Sequence, residues 1–144
     1  MTKPWVLDTG PLGRLAHPNP NEALTDWITA ELVRGVTIVI PEISDYELRR
    51  NLLLEGLHRS VARLDELKSA LRFLPINSDI MARAASLWAT ARKQGVPTSD
   101  RAALDGDVIL AAQALSIGGR VATENLGHLA RFVEAKDWRE LLQG

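Results

Sequence analysis

"VTIVIPEISDYELRRNLLLEG", residues 36–56, sets a β-branched run directly against a segment of helical period. Val36 to Ile40 reads as a strand, the strongest in the chain, and Pro41 closes it. The residues that follow read as a helix, since proline is tolerated in a first turn. A strand running straight into a helix is one half of a βαβ unit, so the fold class turns on whether the flanking sequence continues the alternation.

It does on both sides. Toward the start, "WVLD" (5–8) is a short apolar strand punctuated by Gly10-Pro11. The loop "HPNPN" leads to "EALTDWITAELVRG", a helix with Leu24, Trp27, Ile28 and Leu32 on one side and Gly35 as its stop. Toward the end come a helix near 58–71, a weak strand in "RFLPIN" (72–77), and a helix from Asp79 capped by Asn77 or Ser78. The loop "VPTSDRA" precedes the apolar helix "LDGDVILAAQALSIG", ended by Gly118-Gly119. "RVAT" (120–123) is a strand, "ENLGHLARF" a loop or helical turn, and "VEAKDWRELL" a last strand and helix. The alternation predicts an α/β domain with a mostly parallel sheet, one domain over 1–144.

Composition narrows the function classes. The chain has 144 residues, 46% hydrophobic and 24% charged, which is ordinary for a soluble globular protein. A net charge of −1 excludes a strongly basic nucleic-acid coat while leaving room for a local basic patch. The absence of cysteine excludes disulfides, thiolate zinc sites and cysteine nucleophiles. No targeting segment and no long apolar run are visible, so the expectation is a soluble, cytoplasmic protein with no membrane span.

In an open parallel sheet the functional crevice lies outside the carboxyl ends of the strands. Asp8 and Asn125 fall at or just past such ends. On helical wheels Ile43, Tyr46, Glu47, Leu54 and Leu57 share one face, with Asp45 and Leu52 pointing roughly away. Asp107 shares a face with Leu110, Ala111 and Ala114, whose small neighbours allow close helix approach, and Asp105 lies nearly opposite. Each acid also has a plainer reading. Asp8 in "DTGP" can form an Asx-turn, Glu47 can pair with Arg50, and Asp105 and Asp107 can cap a helix. Taken together, carboxylates and a carboxamide gather at two strand ends and two inner helix faces. Convergent carboxylates repel one another unless a cation joins them, and hard cations take oxygen ligands. That combination points to metal-assisted phosphodiester chemistry.

Asp8 after the first strand, Glu47 in "YELRRNLL", Asp107 in "DVILAA" and Asn125 in "TEN" resemble, in order and along nearly the whole chain, the PIN-domain nucleases and their VapC-like toxin branch. The resemblance implies a three-layer αβα sandwich with an acidic pocket holding Mg²⁺ or Mn²⁺, and endonucleolytic cleavage of RNA. It implies Asp8, Glu47 and Asp107 as metal-binding carboxylates and Asn125 at the fourth position, where Thr123 would orient it or a water. Asp105 would be an auxiliary acid at the metal. A neutral Asn125 implies that any second metal is held weakly, or only with RNA phosphate bound. An antitoxin protein partner and a homodimer are also implied, with exposed apolar positions over 42–71 as the dimer face.

Arg14, Arg49, Arg50 and Arg101 are candidates for the RNA path, against the plainer reading of solvated charge. His128 reads as a surface-loop residue, and the four tryptophans as packing. Two alternatives stand beside the nuclease. A phosphatase with an aspartate nucleophile would want a second Asp two residues after Asp8, where Gly10 stands. A catalytically silent PIN-like module would bind RNA or protein without cleaving.

Overall fold

The computed structural model describes residues 2–95 and 101–143, with residues 101–103 in backbone only. Five strands, β1 (Trp5–Leu7), β2 (Ile38–Pro41), β3 (Arg72–Leu74), β4 (Arg120–Thr123) and β5 (Ala135–Asp137), form one sheet in the order β3-β2-β1-β4-β5. Every pairing is parallel, with Val6 opposite both Val39 and Val121. The helices are α1 (Thr9–Ala16), α2 (Glu22–Val33), α3 (Glu42–Leu54), α4 (His58–Ala70), α5 (Ser78–Lys93), α6 (Arg101–Ser116), α7 (Leu126–Leu129) and α8 (Trp138–Leu141). The chain is therefore an α/β sandwich around a parallel sheet, as the alternation predicts.

The period of two along β1 sorts the core into two layers. Trp5 and Leu7 join Leu12, Leu15, Leu24, Ile28, Leu48 and Leu64 on one face of the sheet. Val6 joins Ile43, Leu110, Ala111, Ala114 and Leu129 on the other. Ala111 and Ala114 are fully buried, and their small side chains let α6 lie close on Val6, Val39 and Val121. A third cluster, with Ile80, Ala84, Leu104 and Val108, joins α5 to α6.

Local signals explain most element ends. Gly35 ends α2 at φ +84°, a conformation that costs glycine little. The Asn77 side chain accepts from the Ile80 N–H at 2.8 Å and caps α5. Among the described residues no helix is long and apolar enough to cross a membrane.

Several sequence expectations are corrected. "TGPLGRLA" is helix α1, not a turn, and Asp8 is its N-cap, its side chain accepting from the Thr9 N–H at 2.7 Å. Pro11 is tolerated because the first turn leaves its N–H groups without helical acceptors. Leu32 on α2 is exposed. On α3 the phase is also different: Asp45 and Leu52 are buried, whereas Tyr46, Leu54 and the following Leu57 are exposed. The cause is the path of α3, which contributes Ile43 to one core layer and Leu48 and Leu52 to the other, so it presents no single stripe. Trp88 is exposed, unlike Trp5 and Trp138 in the core and Trp27 packed edge-on against Trp5. α6 begins at Arg101, so Asp105 and Asp107 sit inside it and cap nothing. The predicted loop "VPTSDRA" spans 96–102: its residues 96–100 lie outside the described residues, and Arg101 and Ala102 belong to α6 instead.

Candidate active site

The order of strands reverses between β1 and β4, which places the crevice of the sheet at their carboxyl ends. Asp8 leaves β1 there. Its Oδ1 accepts from the Thr9 N–H, and its Oδ2 accepts from the Thr123 hydroxyl at 2.7 Å. Thr123 is fully buried at the end of β4, and its Oγ1 also accepts from the Asn125 N–H at 2.8 Å. This one hydroxyl thus ties the two central strand ends to the turn that follows.

Glu47 comes from the second turn of α3, and its Oε1 accepts from the Thr9 hydroxyl at 2.9 Å. Arg50 stacks on the Tyr46 ring, 5.1 Å from its centroid, and its charge still acts on Glu47. Asp107 reaches the same region from α6, with His128 Nδ1 3.8 Å from its Oδ2. This is an ion pair when the ring is protonated.

The three carboxylates feel one another. Burial pushes Asp8 up, against the lowering by its bonds to Thr123 and Thr9, and Glu124 adds to the rise. Burial likewise raises Glu47, opposed by the Thr9 hydroxyl and reinforced by the charge of Asp8. Asp107 is pushed up to about 6, first by burial and then by Asp8, with His128 opposing. A divalent cation relieves this mutual repulsion, and an all-oxygen donor set suits a hard one. By that chemistry Asp8, Glu47 and Asp107 fit a metal. The fit is one of donor chemistry: among the described residues no group of three or more acidic or histidine side chains stands close enough together to hold a metal ion.

The remaining expected residues fall differently. Asn125 begins α7, with its side chain exposed and making no capping bond; its backbone N–H is what joins the site. His128, read as a loop residue, is the group after β4 that faces Asp107. The signal for it was the Leu126/Leu129 spacing, which turns the chain back after Asn125 and anchors Leu129 in the core. Asp105 is exposed and lines a hollow with Met81, Trp88 and Ile109 against α5, apart from the three carboxylates. Glu124 lies beside Gly10, where its charge reaches Asp8, and its Oε1 accepts from Trp138 Nε1 at 3.1 Å and Arg14 Nε at 3.4 Å.

Of the arginines, Arg49 is committed to structure. It forks onto Asp45 and also reaches Asp65, both at 2.8 Å. Arg14 is more than half exposed and borders a polar groove of about 480 Å³ with His17, Asn19, Asn21 and the acidic Glu124, beginning at Gly10 beside Asp8. The side chain of Arg101 lies outside the described residues.

Solved structures share this architecture. VapBC2 from Rickettsia felis, bound to a DNA fragment from its promoter, superposes with a TM-score of 0.77 at 16% identity, covering 93% of this chain and 98% of that one. DNA-bound VapBC from Salmonella typhimurium gives 0.76 at 21% identity, over 95% and 99%. FitAcB from Neisseria gonorrhoeae gives 0.71 at 21%, over 94% and 98%. At such identities the likeness speaks for the fold alone. No curated protein matches the chain. The family model of the PIN domain, however, matches residues 5–133, and the chain belongs to the PIN-domain family.

Proposed function

We propose that this chain, as one PIN-like domain, is a metal-dependent endoribonuclease that acts in the cytoplasm as the toxin of a VapBC-type pair. PIN domains are generally nucleases and usually use divalent metals. The observation that carries the reading is the gathering of three half-buried carboxylates from the end of β1, α3 and α6: Thr9 bonds both Asp8 and Glu47, and burial together with the charges of Asp8 and Glu47 raises Asp107.

Asp8, Asp107 and Glu47 would hold Mg²⁺ or Mn²⁺, which when bound supplies an activated water and neutralises charge on the scissile phosphate. The protein's part is orientation. Thr123 and the Thr9 N–H fix the two Asp8 oxygens, and the Thr9 hydroxyl fixes Glu47. His128 stands beside Asp107, and Arg131 adds a favourable charge there that suits a phosphate. The groove past Gly10 gives the RNA strand a path, with Arg14 as its cationic contact.

A protein antitoxin and a second copy of the chain are the expected partners. VapBC and FitAB complexes among the similar folds support the first. The exposed Tyr46, Leu53, Leu54 and Leu57 at α3 and just beyond it support the second.

Labelled single-stranded RNA incubated with Mn²⁺ tests the activity. Wild type cleaves it, and Asp8→Asn is slower by at least about a hundredfold. Turnover of Asp8→Asn close to wild type contradicts the assignment. RNA bound but uncut by wild type favours the silent module.

A further inference from the structure

Glu47 and Asp107 belong to different helices, and the point where Glu47 meets the second helix is a glycine. Gly106 lies inside α6, where glycine is a poor helix former. Among the described residues the glycines with positive φ are Gly35, Gly56, Gly95 and Gly118, so the backbone at 106 does not require one. A Cβ there would sit 2.6 Å from Glu47 Oε2, and the next nearest side-chain atoms are Glu47 Cδ at 3.5 Å and Oε1 at 3.9 Å. The space that alanine would fill is therefore occupied by one carboxylate. Its other oxygen accepts from the Thr9 hydroxyl, and the Thr9 N–H holds Asp8. Glu47 is wedged between the first turn of α1 and the bare backbone of α6, one residue before Asp107.

We propose that Gly106 is a positioning residue for the metal site. By withholding a side chain it seats the Glu47 carboxylate on α6, and Thr9 fixes it there beside Asp8 and Asp107. This rests on the metal-dependent reading above. The atom displaced by a Cβ is the far end of a flexible side chain, so alanine at 106 leaves the fold intact and moves Glu47. Stability and metal affinity then change in opposite directions, which a glycine needed only for packing would not produce.

The test titrates Mn²⁺ alone into the full chain, reading free Mn²⁺ by electron paramagnetic resonance, and records Tm in EDTA. Gly106→Ala raises Tm by about 3 °C through helix propensity and weakens Mn²⁺ binding about tenfold to a hundredfold. In a Glu47→Ala background the same substitution keeps its Tm gain and leaves Mn²⁺ affinity unchanged, because the displaced group is gone. Thr9→Val weakens Mn²⁺ binding, and Thr9→Ser restores it. Unchanged Mn²⁺ affinity in Gly106→Ala, an equal loss in the Glu47→Ala background, or a fall in Tm overturns the proposal. A wild-type chain that binds no Mn²⁺ overturns the metal-dependent reading, and the proposal with it.

Discussion

Thr123 donates its hydroxyl to Asp8 Oδ2 at 2.7 Å and joins the ends of β4 and β1 at the centre of the sheet. The donor is fully buried, and its oxygen also accepts the Asn125 N–H. Thr123→Val keeps the shape and removes both bonds. Since hydrogen bonds to charged groups contribute about 1.5–3 kcal/mol, the loss should be about 2 kcal/mol. Urea unfolding at pH 7.5 checks this, with Thr123→Ser expected to restore most of it. A valine variant as stable as wild type would contradict the pairing.

The raised carboxyls make stability depend on pH in a direction opposite to that of a salt-bridged acid. Folding lifts Asp107 to about 6 from an ordinary value near 4. The native state therefore holds its proton more tightly than the unfolded state does. The contribution is fully present below about pH 4 and lost as pH rises through about 6. Asp8 and Glu47 act with the same sign. In EDTA, the urea midpoint should fall across this window, and the fall should be shallower in Asp107→Asn. Equal slopes in the two proteins would remove Asp107 from the coupled set.

Metal should reverse that loss. Saturating Mn²⁺ binds the native state and raises Tm at pH 7.5 in wild type. Asp107→Asn, freed of like-charge repulsion, should be more stable than wild type in EDTA and gain little from Mn²⁺. Differential scanning calorimetry with and without the ion separates the two. A mutant less stable than wild type in EDTA would mean that Asp107 is held by attraction, not repulsion.

Two arginines should divide stability from RNA binding. Arg49 neutralises the buried Asp45, so Arg49→Ala leaves that carboxylate without its partner and should cost about 3 kcal/mol. Arg14 is paired only at 3.4 Å and is mostly exposed, so Arg14→Gln should leave stability unchanged and lower the salt slope of RNA binding by about 0.7. Filter binding with an Asp8→Asn background in EDTA reads the slope without cleavage. The reverse assignment, with RNA affinity lost in Arg49→Ala alone, would move the RNA path to α3.

The three central strands were legible because they are short β-branched or apolar runs set off by helices, which period and punctuation resolve; the edge strands β3 and β5, with Arg72, Lys136 and Asp137, carry a weaker signal. Asp8 was legible as the polar end of β1, and Asp107 by its small neighbours Ala111 and Ala114. What the sequence hid has definite causes. Two glycines and a proline masked α1, since their low propensity is offset by an Asp8 cap and by Leu12 and Leu15 in the core. Asp45 was read as outward because the helical wheel set it opposite Ile43, Tyr46 and Glu47, yet α3 buries that side and Arg49 pairs with Asp45 and makes its burial tolerable. His128 lay three residues past the expected fourth position, and only the short helix α7 brings it back toward Asp107. Gly106 carried no sequence signal, because the space it leaves is filled from another helix.

The most direct measurement is cleavage of a mixed-sequence single-stranded RNA in EDTA, Mg²⁺ and Mn²⁺, with wild type beside Asp107→Asn. The account predicts cleavage by wild type in either metal, none in EDTA, and none by the mutant under any condition. Cleavage that persists in EDTA, or that Asp107→Asn performs as well as wild type, would contradict it.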